Sequence, residues 1–483
     1  MLKISESIRR SNGLSITLLA AASILFAAAM TGCGGSGSSS SGSNPTPTPA
    51  AKTSVQVNMG DSPSDWMLAF SMNISSMSMT GSNGSATVVS TSMPMEMMHL
   101  MGTMQPLAMI SVPQGTYTGA SITMSSATVM FMDPNTKALT QKTVSGPFTG
   151  TVTFSSPITV GSTPMAVGFD LDLAHSVTAD ASGNLSFAPV FHVTSAMQGS
   201  GNPMDFADGG IQRMMGVVSS VSGSTFAMTS LQAAQTFTFT TNSTTMFANG
   251  SMGSMANGMT VMVDATLQSD GSLMATRIES MMNPSGMMGG GIVTAVTGQP
   301  ATAFNIVMQN GAGTGMMGSY FAAGATVNLN SNATFTIDHD NIDISGLPFT
   351  PTFDASHIYV GQTVMPVSSS GMMSGGMGGG MMGGGPMAGT ITASNLYLEP
   401  QGLSGTAGSS IAPGATSTFT LTLPSDSAFT SLTGAKSVTV FQQSGTTVSG
   451  GGTIASGTSV HCYGLLFFDG GQWKMVSSRM GAN

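Results

Sequence analysis

The pattern of apolar and polar positions after residue 53 indicates short β-strands. Apolar residues alternate with Thr in segments 151–154, 236–240 and 418–423, as expected for strands with one buried face. Gly, Asn, Ser and Pro separate such segments, and no long helical period with capping residues follows residue 35. The pattern therefore predicts an all-β chain built from sandwiches or small barrels.

Residues 1–32 have the features of a secretory signal. Lys3, Arg9 and Arg10 give a positive start, and an uncharged apolar run covers 14–30. The run ends in Met30-Thr31-Gly32-Cys33, which resembles a bacterial lipobox, with Met in the place of the usual Leu. The resemblance implies a lipoprotein in which Cys33 is acylated and becomes the new N-terminus. An ordinary signal peptide followed by an unrelated cysteine is the alternative.

Residues 33–52 form a predicted flexible tether. The segment is rich in Gly and Ser and then alternates Pro with Thr, so it has little apolar surface to bury. No Asp follows Cys33 as an inner-membrane retention signal. We therefore expect a bacterial cell-envelope protein, lipid-anchored to the outer membrane where there are two membranes, on its periplasmic or surface face.

A first domain is predicted over 53–201. It opens with a strand that leads into Asp61-Ser62-Pro63, and Pro113-Gln114-Gly115-Thr116-Tyr117 precedes a later strand. Both motifs resemble the bacterial envelope lipoproteins of the domain of unknown function 4382 family. That resemblance implies a β-sandwich-like fold and no established activity.

An internal repeat follows, with copies predicted at 210–281, 288–400 and 402–483. In each copy a strand follows a Gly turn, at Gly258, Gly361 and Gly457. A Gly/Met-rich insertion interrupts the second copy, and Asp-Gly hairpins close the first and third. The copies resemble the domain of unknown function 5666 family, which implies about three small OB-like β-barrels. Barrels of this type often bind oligomers, although the fold does not determine the function.

Composition excludes one large class of partner. Charged residues make up 6% of the chain, and the net charge is −9 with only 11 Lys and Arg. Nucleic-acid binding needs a basic surface, so we expect no nucleic-acid partner. Cys462 is the only cysteine besides Cys33, and it lies in an apolar strand pattern. This context favours a buried, inert thiol over a reactive one.

Methionine is the most unusual component, with 45 in the chain. One cluster combines Met with a histidine: Met93, Met95, Met97, Met98, His99, Met101 and Met104. Thioethers are soft ligands that select Cu(I), so this cluster is a candidate copper site. Alternatively, Met serves as adaptable core filler or as a reversible oxidant sink.

Three further sequence patterns resemble ligand-binding or catalytic sites. The acidic segment 338–343 has oxygen ligands for Ca²⁺ but lacks the Gly and distal Glu of an EF-hand, so a polar loop is favoured. Asp170 and Asp172, with His175 and His192 nearby, fit a cation site or a glycosidase carboxylate pair, although a solvated face is favoured. The G-x-G-x-x-G match at 313–318 precedes strand-like sequence, which disfavours a nucleotide loop.

No familiar catalytic motif occurs in the sequence. The leading hypothesis is a non-catalytic, lipid-anchored envelope protein without a cofactor, acting as a binding or structural module. Its expected partners are the membrane, through the N-terminal lipid, and envelope proteins or glycans. The alternatives are a Cu(I)-binding envelope protein and an enzyme acting on extracellular or cell-wall glycans.

Overall fold

The fold was analysed in a computed structural model. It describes residues 50–62, 64–100, 104–133, 136, 138–180, 184–197, 209–231, 233, 235–248, 250–280, 290–309, 324–339, 342–368, 387–449 and 451–482. The signal segment, Cys33, Met101, the 313–318 match and the Gly/Met-rich insertion lie outside these residues. Residues 50–483 form one compact unit. Among the described residues, no helix is both long and apolar enough to cross a membrane.

The first group of strands forms two large sheets and one two-stranded sheet. The elements are β1 (Lys52–Ser62), β2 (Met67–Gly81), β3 (Gly84–Val89), β4 (Met93–Glu96), a 3-10 turn (Met98–Leu100), β5 (Met104–Pro113), β6 (Gly115–Met132), β7 (Leu139–Val160), β8 (Met165–Asp172), α1 (Leu173–Ser176), β9 (Val177–Ala179), β10 (Leu185–Phe187) and β11 (Phe191–Met197). One sheet has the order β11-β8-β1-β5, in which β1 and β8 are parallel. The other has the order β3-β2-β6-β7, with β4 also paired to β2. Both sheets contribute side chains to one hydrophobic core, so this part has two layers.

Methionine fills much of this core. Strand β2 alternates buried and half-exposed positions, and its buried side chains include Met72, Met77 and Met79. An unbranched side chain fits irregular gaps between twisted sheets, which explains how Met substitutes for Leu and Ile here.

The Pro-x-Gly-x-Tyr motif forms the corner between β5 and β6. The buried Tyr117 hydroxyl donates a hydrogen bond of 2.9 Å to the Pro113 carbonyl. Gly115 lies at the turn with φ +156°. The ring thus closes the corner over its own preceding backbone, as tyrosine corners do in other sandwiches.

Three further groups each form a closed sheet. The first comprises β12 (Gly210–Ser222), β13 (Thr225–Ser230), β14 (Thr236–Thr240), β15 (Met246–Ala248), a 3-10 turn (Met252–Ser254), β16 (Thr260–Leu267) and β17 (Leu273–Ser280). Its strands pair in the order β12-β13-β14-β17-β16 and return to β12, with β14 and β17 parallel. Strand β15 adds to the outside of β17.

The second and third groups repeat this topology. The second comprises β18 (Gly291–Thr297), β19 (Ala303–Met308), β20 (Gly324–Ile337), β21 (Thr363–Ser368) and β22 (Met387–Leu398). The third comprises β23 (Gln401–Ala407), β24 (Ser417–Thr422), α2 (Ala428–Thr433), β25 (Ser437–Val448), β26 (Ser459–Asp469) and β27 (Gln472–Ala482). In both, the third strand is parallel to the fifth and the first pairs with the fourth, which closes the barrel. The all-β, multi-barrel fold class is thereby confirmed.

The Gly turn singled out in the sequence has the same geometry in all three barrels. Gly258, Gly361 and Gly457 have φ of +85°, +101° and +84°, a region in which residues with a Cβ are strained. The amide of each donates a bond of 2.8 Å to a carbonyl on the first strand, at Val218, Val293 and Ala407 respectively. The residue after each Gly accepts a bond in return from the amide of that same residue. This reciprocal pair attaches the fourth strand to the first.

A second glycine lies two residues before each of these first-strand positions. A Cβ on Gly216, Gly291 or Gly405 would lie 2.6, 2.2 or 2.4 Å from a carbonyl oxygen of the second strand. Only glycine allows the first two strands to approach so closely. We refer to the two glycines and the reciprocal pair of bonds as the barrel frame.

The groups pack through shared apolar surfaces. The sandwich and the first barrel contribute to a single core. Leu465, Phe467 and Val476 of the third barrel belong to the core of the second. A small cluster joins Leu68 of the sandwich to Ile292 of the second barrel and Ala428 of α2. All four groups therefore meet around one central region.

Candidate functional site

A cavity of about 130 Å³ lies in this central region. The sandwich, the three barrels and the junctions between them all contribute to its wall. Apolar and polar side chains both line the wall, and five titratable groups are among them: Asp65, His99, Arg213, Glu399 and Tyr463. Small-molecule sites are usually concave and combine apolar surface with convergent polar groups, so we take this cavity as the candidate site.

Arg213 reaches the cavity from a distorted position on β12. The pairing of β12 with β16 shifts between Ile211 and Met214, and Arg213 in this bulge has φ +53°. It is the only described non-glycine residue with positive φ. The Asp264 carboxylate accepts a bond of 2.7 Å from the Arg213 amide and holds the bulge. Bulges redirect side chains, and this one directs Arg213 towards the second barrel.

The Arg213 guanidinium binds two carboxylates of the second barrel. Its Nη2 lies 2.6 Å from Glu399 Oε2 and also donates to Asp338 Oδ2. Asp338 follows β20 and Glu399 follows β22, so the interaction joins the first barrel to two strand ends of the second. The three side chains are about nine-tenths buried. We call them the buried triad.

The buried triad is one positive charge short. Burial, with the neighbouring Asp338 carboxylate, raises the pKa of Glu399 to about 8, although Arg213 acts to lower it. The pKa of Arg213 lies above its ordinary value, because the two carboxylates outweigh the effect of burial. Near neutral pH, below this pKa, Glu399 therefore holds a proton beside the Arg213 cation.

Tyr463 and Arg479 of the third barrel lie behind the triad. The Arg479 guanidinium carbon is 5.5 Å from the centre of the Tyr463 ring, a cation–π contact. Burial raises the pKa of Tyr463 and lowers that of Arg479 to about 10. Both groups keep their ordinary protonation at neutral pH, and Tyr463 supplies a polar surface on this side of the cavity.

Asp65 and His99 come to the cavity from the sandwich. Burial raises the pKa of Asp65 to about 6, and the Ser404 hydroxyl beside it acts to lower the pKa. His99 Nδ1 is 2.9 Å from the Glu96 carboxylate, which also accepts bonds from the amides of Phe70, Met98 and His99. Glu96 thus fixes the turn that presents Met98 and His99 to the cavity.

Five methionines from three groups of strands form a large part of the apolar wall. They are Met67 and Met98 of the sandwich, Met215 and Met262 of the first barrel, and Met365 of the second. Leu68, Leu403 and Phe429 extend the same surface. Methionine side chains adapt to ligands of different shape, so the wall suits a variable aliphatic group.

The members of the predicted copper cluster lie partly in the core and partly at the cavity. Met93, Met95, Met97 and Met98 are at most 4% exposed and belong to one hydrophobic core. Met104 begins β5 and packs near Gly168. Of the described members, Met98 and His99 also line the cavity, and Met101 lies outside the described residues. Copper binding by this cluster stays a prediction.

The structure also describes the surroundings of Asp172 and Asp338, two acidic residues from the other candidate patterns. Asp172 caps α1 and is 8% exposed, and its carboxylate lies 2.7 Å from His175 Nδ1 and 3.2 Å from His192 Nε2. The favoured solvated-face interpretation agrees with the His175 and His192 side chains, which are 78% and 62% exposed, whereas Asp172 itself is buried. Asp338 is also not part of a purely polar loop, since it binds Arg213. No group of three or more His, Cys, Asp or Glu among the described residues is arranged to hold a metal ion.

Asp61 of the Asp-Ser-Pro motif is a buried carboxylate at the end of β1. It is 2% exposed, and neither oxygen has a hydrogen-bond partner among the described residues. Burial and the nearby Asp170, Glu96 and Asp172 carboxylates raise its pKa well above the ordinary value. Asp61 is therefore protonated more readily than an exposed aspartate.

Arg213 and Glu399 did not emerge from the sequence as site residues. One signal was present: with 11 Lys and Arg in the chain, an Arg between Gln212 and the apolar Met214 implies a buried acidic partner. The partners lie 125 and 186 residues away along the chain, and no local pattern connects them.

One protein-family model matches the part of the sequence that forms the first barrel. The family described as Domain of unknown function (DUF5666) matches residues 215–279. The match begins within β12 and ends within β17, so it covers the first barrel and includes its frame. No curated protein matches the chain.

Proposed function

We propose that this protein is a non-catalytic, lipid-anchored binding protein of the bacterial cell envelope, and that the central cavity is its ligand site. The observation that supports the proposal most is the wall of the cavity. Four groups of strands enclose a space lined by both apolar and polar side chains, five of which are titratable. Such a wall fits a small amphipathic molecule.

The polar groups of the cavity favour binding over catalysis. Glu399 and Asp338 are engaged by Arg213, and His99 is oriented by Glu96. Hydrolysis of glycans or esters by the full chain would overturn the non-catalytic part of the proposal.

A simple aliphatic probe tests the site. We expect 1-hexanol to raise the melting temperature of the full chain, because its alkyl chain enters the apolar wall. Leu403→Trp fills the cavity and should abolish this increase. Val190→Trp, at a position that is 39% exposed, is the matched control and should retain it. No increase in the unsubstituted chain, or an equal increase in Leu403→Trp, would reject the cavity as the site.

The lipid anchor needs a separate test. We expect cells grown with a labelled fatty acid to incorporate the label into the protein, and Cys33→Ala to lose both the label and the membrane association. Cys462→Ala is the control and should keep both. A labelled Cys33→Ala variant would show that the lipobox resemblance is misleading.

Cu(I) binding is a second candidate, favoured by the five thioethers and His99 in one wall. An anaerobic Cu(I) competition titration would compare two triple variants. If the cavity binds copper, replacing Met67, Met215 and Met262 by Leu should weaken binding, whereas replacing Met93, Met95 and Met97 should not. The reverse result would return the site to the 93–104 segment, and no binding by the unsubstituted chain would reject this candidate.

A further inference from the structure

The charge balance of the buried triad restricts what the cavity can bind. Two carboxylates face one guanidinium, and a proton on Glu399 supplies the missing charge. Of the other groups nearby, Glu279 is paired with Arg277 at 3.4 Å, and Tyr397 and Tyr463 are neutral phenols. The Arg479 cation lies over the Tyr463 ring and does not line the cavity. A ligand that brings one positive charge could replace the proton.

One atom of the triad is available for such a ligand. Glu399 Oε1 is buried and has no hydrogen-bond partner among the described residues, whereas Oε2 is engaged by Arg213. Glu399 is 6% exposed and lines the cavity. A buried acceptor without a donor costs free energy, and a donor from a ligand would remove that cost.

The neighbouring side-chain amide of Gln401 is held by other partners. Gln401 Oε1 accepts from the Thr363 amide at 2.6 Å, and its Nε2 donates to the Gly361 carbonyl at 2.9 Å. Around these polar groups the wall is formed by Met215, Met262 and Met365. The wall thus combines one carboxyl oxygen that lacks a hydrogen-bond partner with the apolar surface of these methionines.

We propose that the cavity selects small aliphatic cations, with Glu399 accepting the ammonium group and giving up its proton as the ligand binds. The proposal rests on the cavity being the ligand site and specifies its ligand class. The ammonium N–H donates to Glu399 Oε1, and the carboxylic acid proton passes to solvent. The triad and the bound ammonium group then carry two positive and two negative charges in total.

Three six-carbon probes test this selectivity in calorimetric titrations of the full chain. At pH 8 we expect hexylammonium to bind at least tenfold more tightly than 1-hexanol, and hexanoate to bind most weakly. At pH 7, titrations in two buffers of different ionisation enthalpy should show about one proton released for each hexylammonium bound. Below pH 8 the affinity should rise about tenfold for each pH unit, as Glu399 ionises more readily.

Glu399→Gln retains the shape of the side chain and removes its charge. We expect this variant to bind hexylammonium no better than 1-hexanol, with 1-hexanol binding unchanged as evidence that the cavity is intact. Glu279→Gln makes the same change in a residue that does not line the cavity, and it should retain the preference. If Glu399→Gln does not fold, the pH profile and the proton release of the unsubstituted chain decide the question.

Failure of this proposal is distinguishable from failure of the cavity itself. Binding of 1-hexanol without a preference for hexylammonium would overturn the cation selectivity and leave the site intact. A preference that persists in Glu399→Gln would overturn the role of Glu399. No binding of any probe would reject the cavity and with it the present proposal.

Discussion

The first and third barrels have the same strand order but bury their arginines differently. In the first, Arg213 leaves a bulge in β12 and binds carboxylates of the second barrel at the cavity. In the third, Arg479 lies in β27 against the Tyr463 ring of its own barrel. Both barrels retain the same frame of two glycines and two reciprocal bonds. The comparison indicates that the frame maintains the fold, whereas side chains outside it have diverged to form the junction.

Breaking the frame should have the largest effect. In Gly291→Val, a Cβ would lie 2.2 Å from the Val307 carbonyl oxygen, so the first two strands of the second barrel must separate. We expect a loss of about 4 kcal/mol or more in the free energy of unfolding, measured by urea denaturation. Gly223→Ala is the control: it has φ +57° with open space around it, so about 1 kcal/mol is expected. Equal losses in the two variants would contradict the role of the frame.

Removing Arg213 should have the next largest effect. Arg213→Met leaves Asp338 and Glu399 buried without their cation, and we expect a loss of about 3 kcal/mol at pH 8. Arg277→Met is the matched control, because its pair with Glu279 is longer and more exposed, and about 1 kcal/mol is expected. A smaller loss for Arg213 than for Arg277 would show that the junction does not depend on the triad.

The pH dependence of stability tests whether Glu399 of the buried triad holds a proton, whereas Arg479 of the third barrel lies against a phenol ring. The pKa of Glu399 rises from an ordinary 4.5 to about 8 in the folded chain. The folded state therefore holds its proton more tightly, and stability should fall as the pH rises from about 4.5 to about 8. Asp65, with a pKa of about 6, acts in the same direction. Urea denaturation at pH 5 and pH 8 should show a smaller difference in Glu399→Gln than in the unsubstituted chain; an unchanged difference would contradict the assignment.

The smallest effect concerns a feature that distinguishes the third barrel. Its α2 begins after Ser427, whose hydroxyl accepts a bond of 2.9 Å from the Thr430 amide, and ends at Gly434 with φ +73°. Ser427→Ala should cost about 1 kcal/mol, measured by thermal unfolding. Ser427→Asp restores a capping oxygen and should recover most of the loss. A neutral Ser427→Ala would mean that packing of Phe429 alone holds the helix.

Much of the fold could be predicted from the sequence because its signals are local. Alternation of Thr with apolar residues marks strands such as β14 and β24, and the turn glycines at 258, 361 and 457 mark the repeat. The close-approach glycines were missed, because Gly216, Gly291 and Gly405 resemble any of the 63 glycines in the chain. Their role depends on contacts across two strands.

The candidate site could be predicted only in fragments. Met98 and His99 belonged to a segment singled out for its chemistry, yet their neighbours Met93 and Met95 point into the core. Composition explains the difficulty, since Met serves both as filler and as cavity wall in this chain. The triad joins residues from β12 and from the ends of β20 and β22, and no periodicity relates positions on different barrels.

Cys462 is an internal probe of local opening in the third barrel. Its thiol is fully buried on β26, opposite Leu403 of the cavity wall, and burial raises its pKa to about 12. A thiol reagent therefore cannot react until the third barrel opens. The rate of Cys462 labelling therefore measures how often the third barrel opens. A ligand bound in the cavity should lower this rate, because it would stabilise the neighbouring strand that carries Leu403.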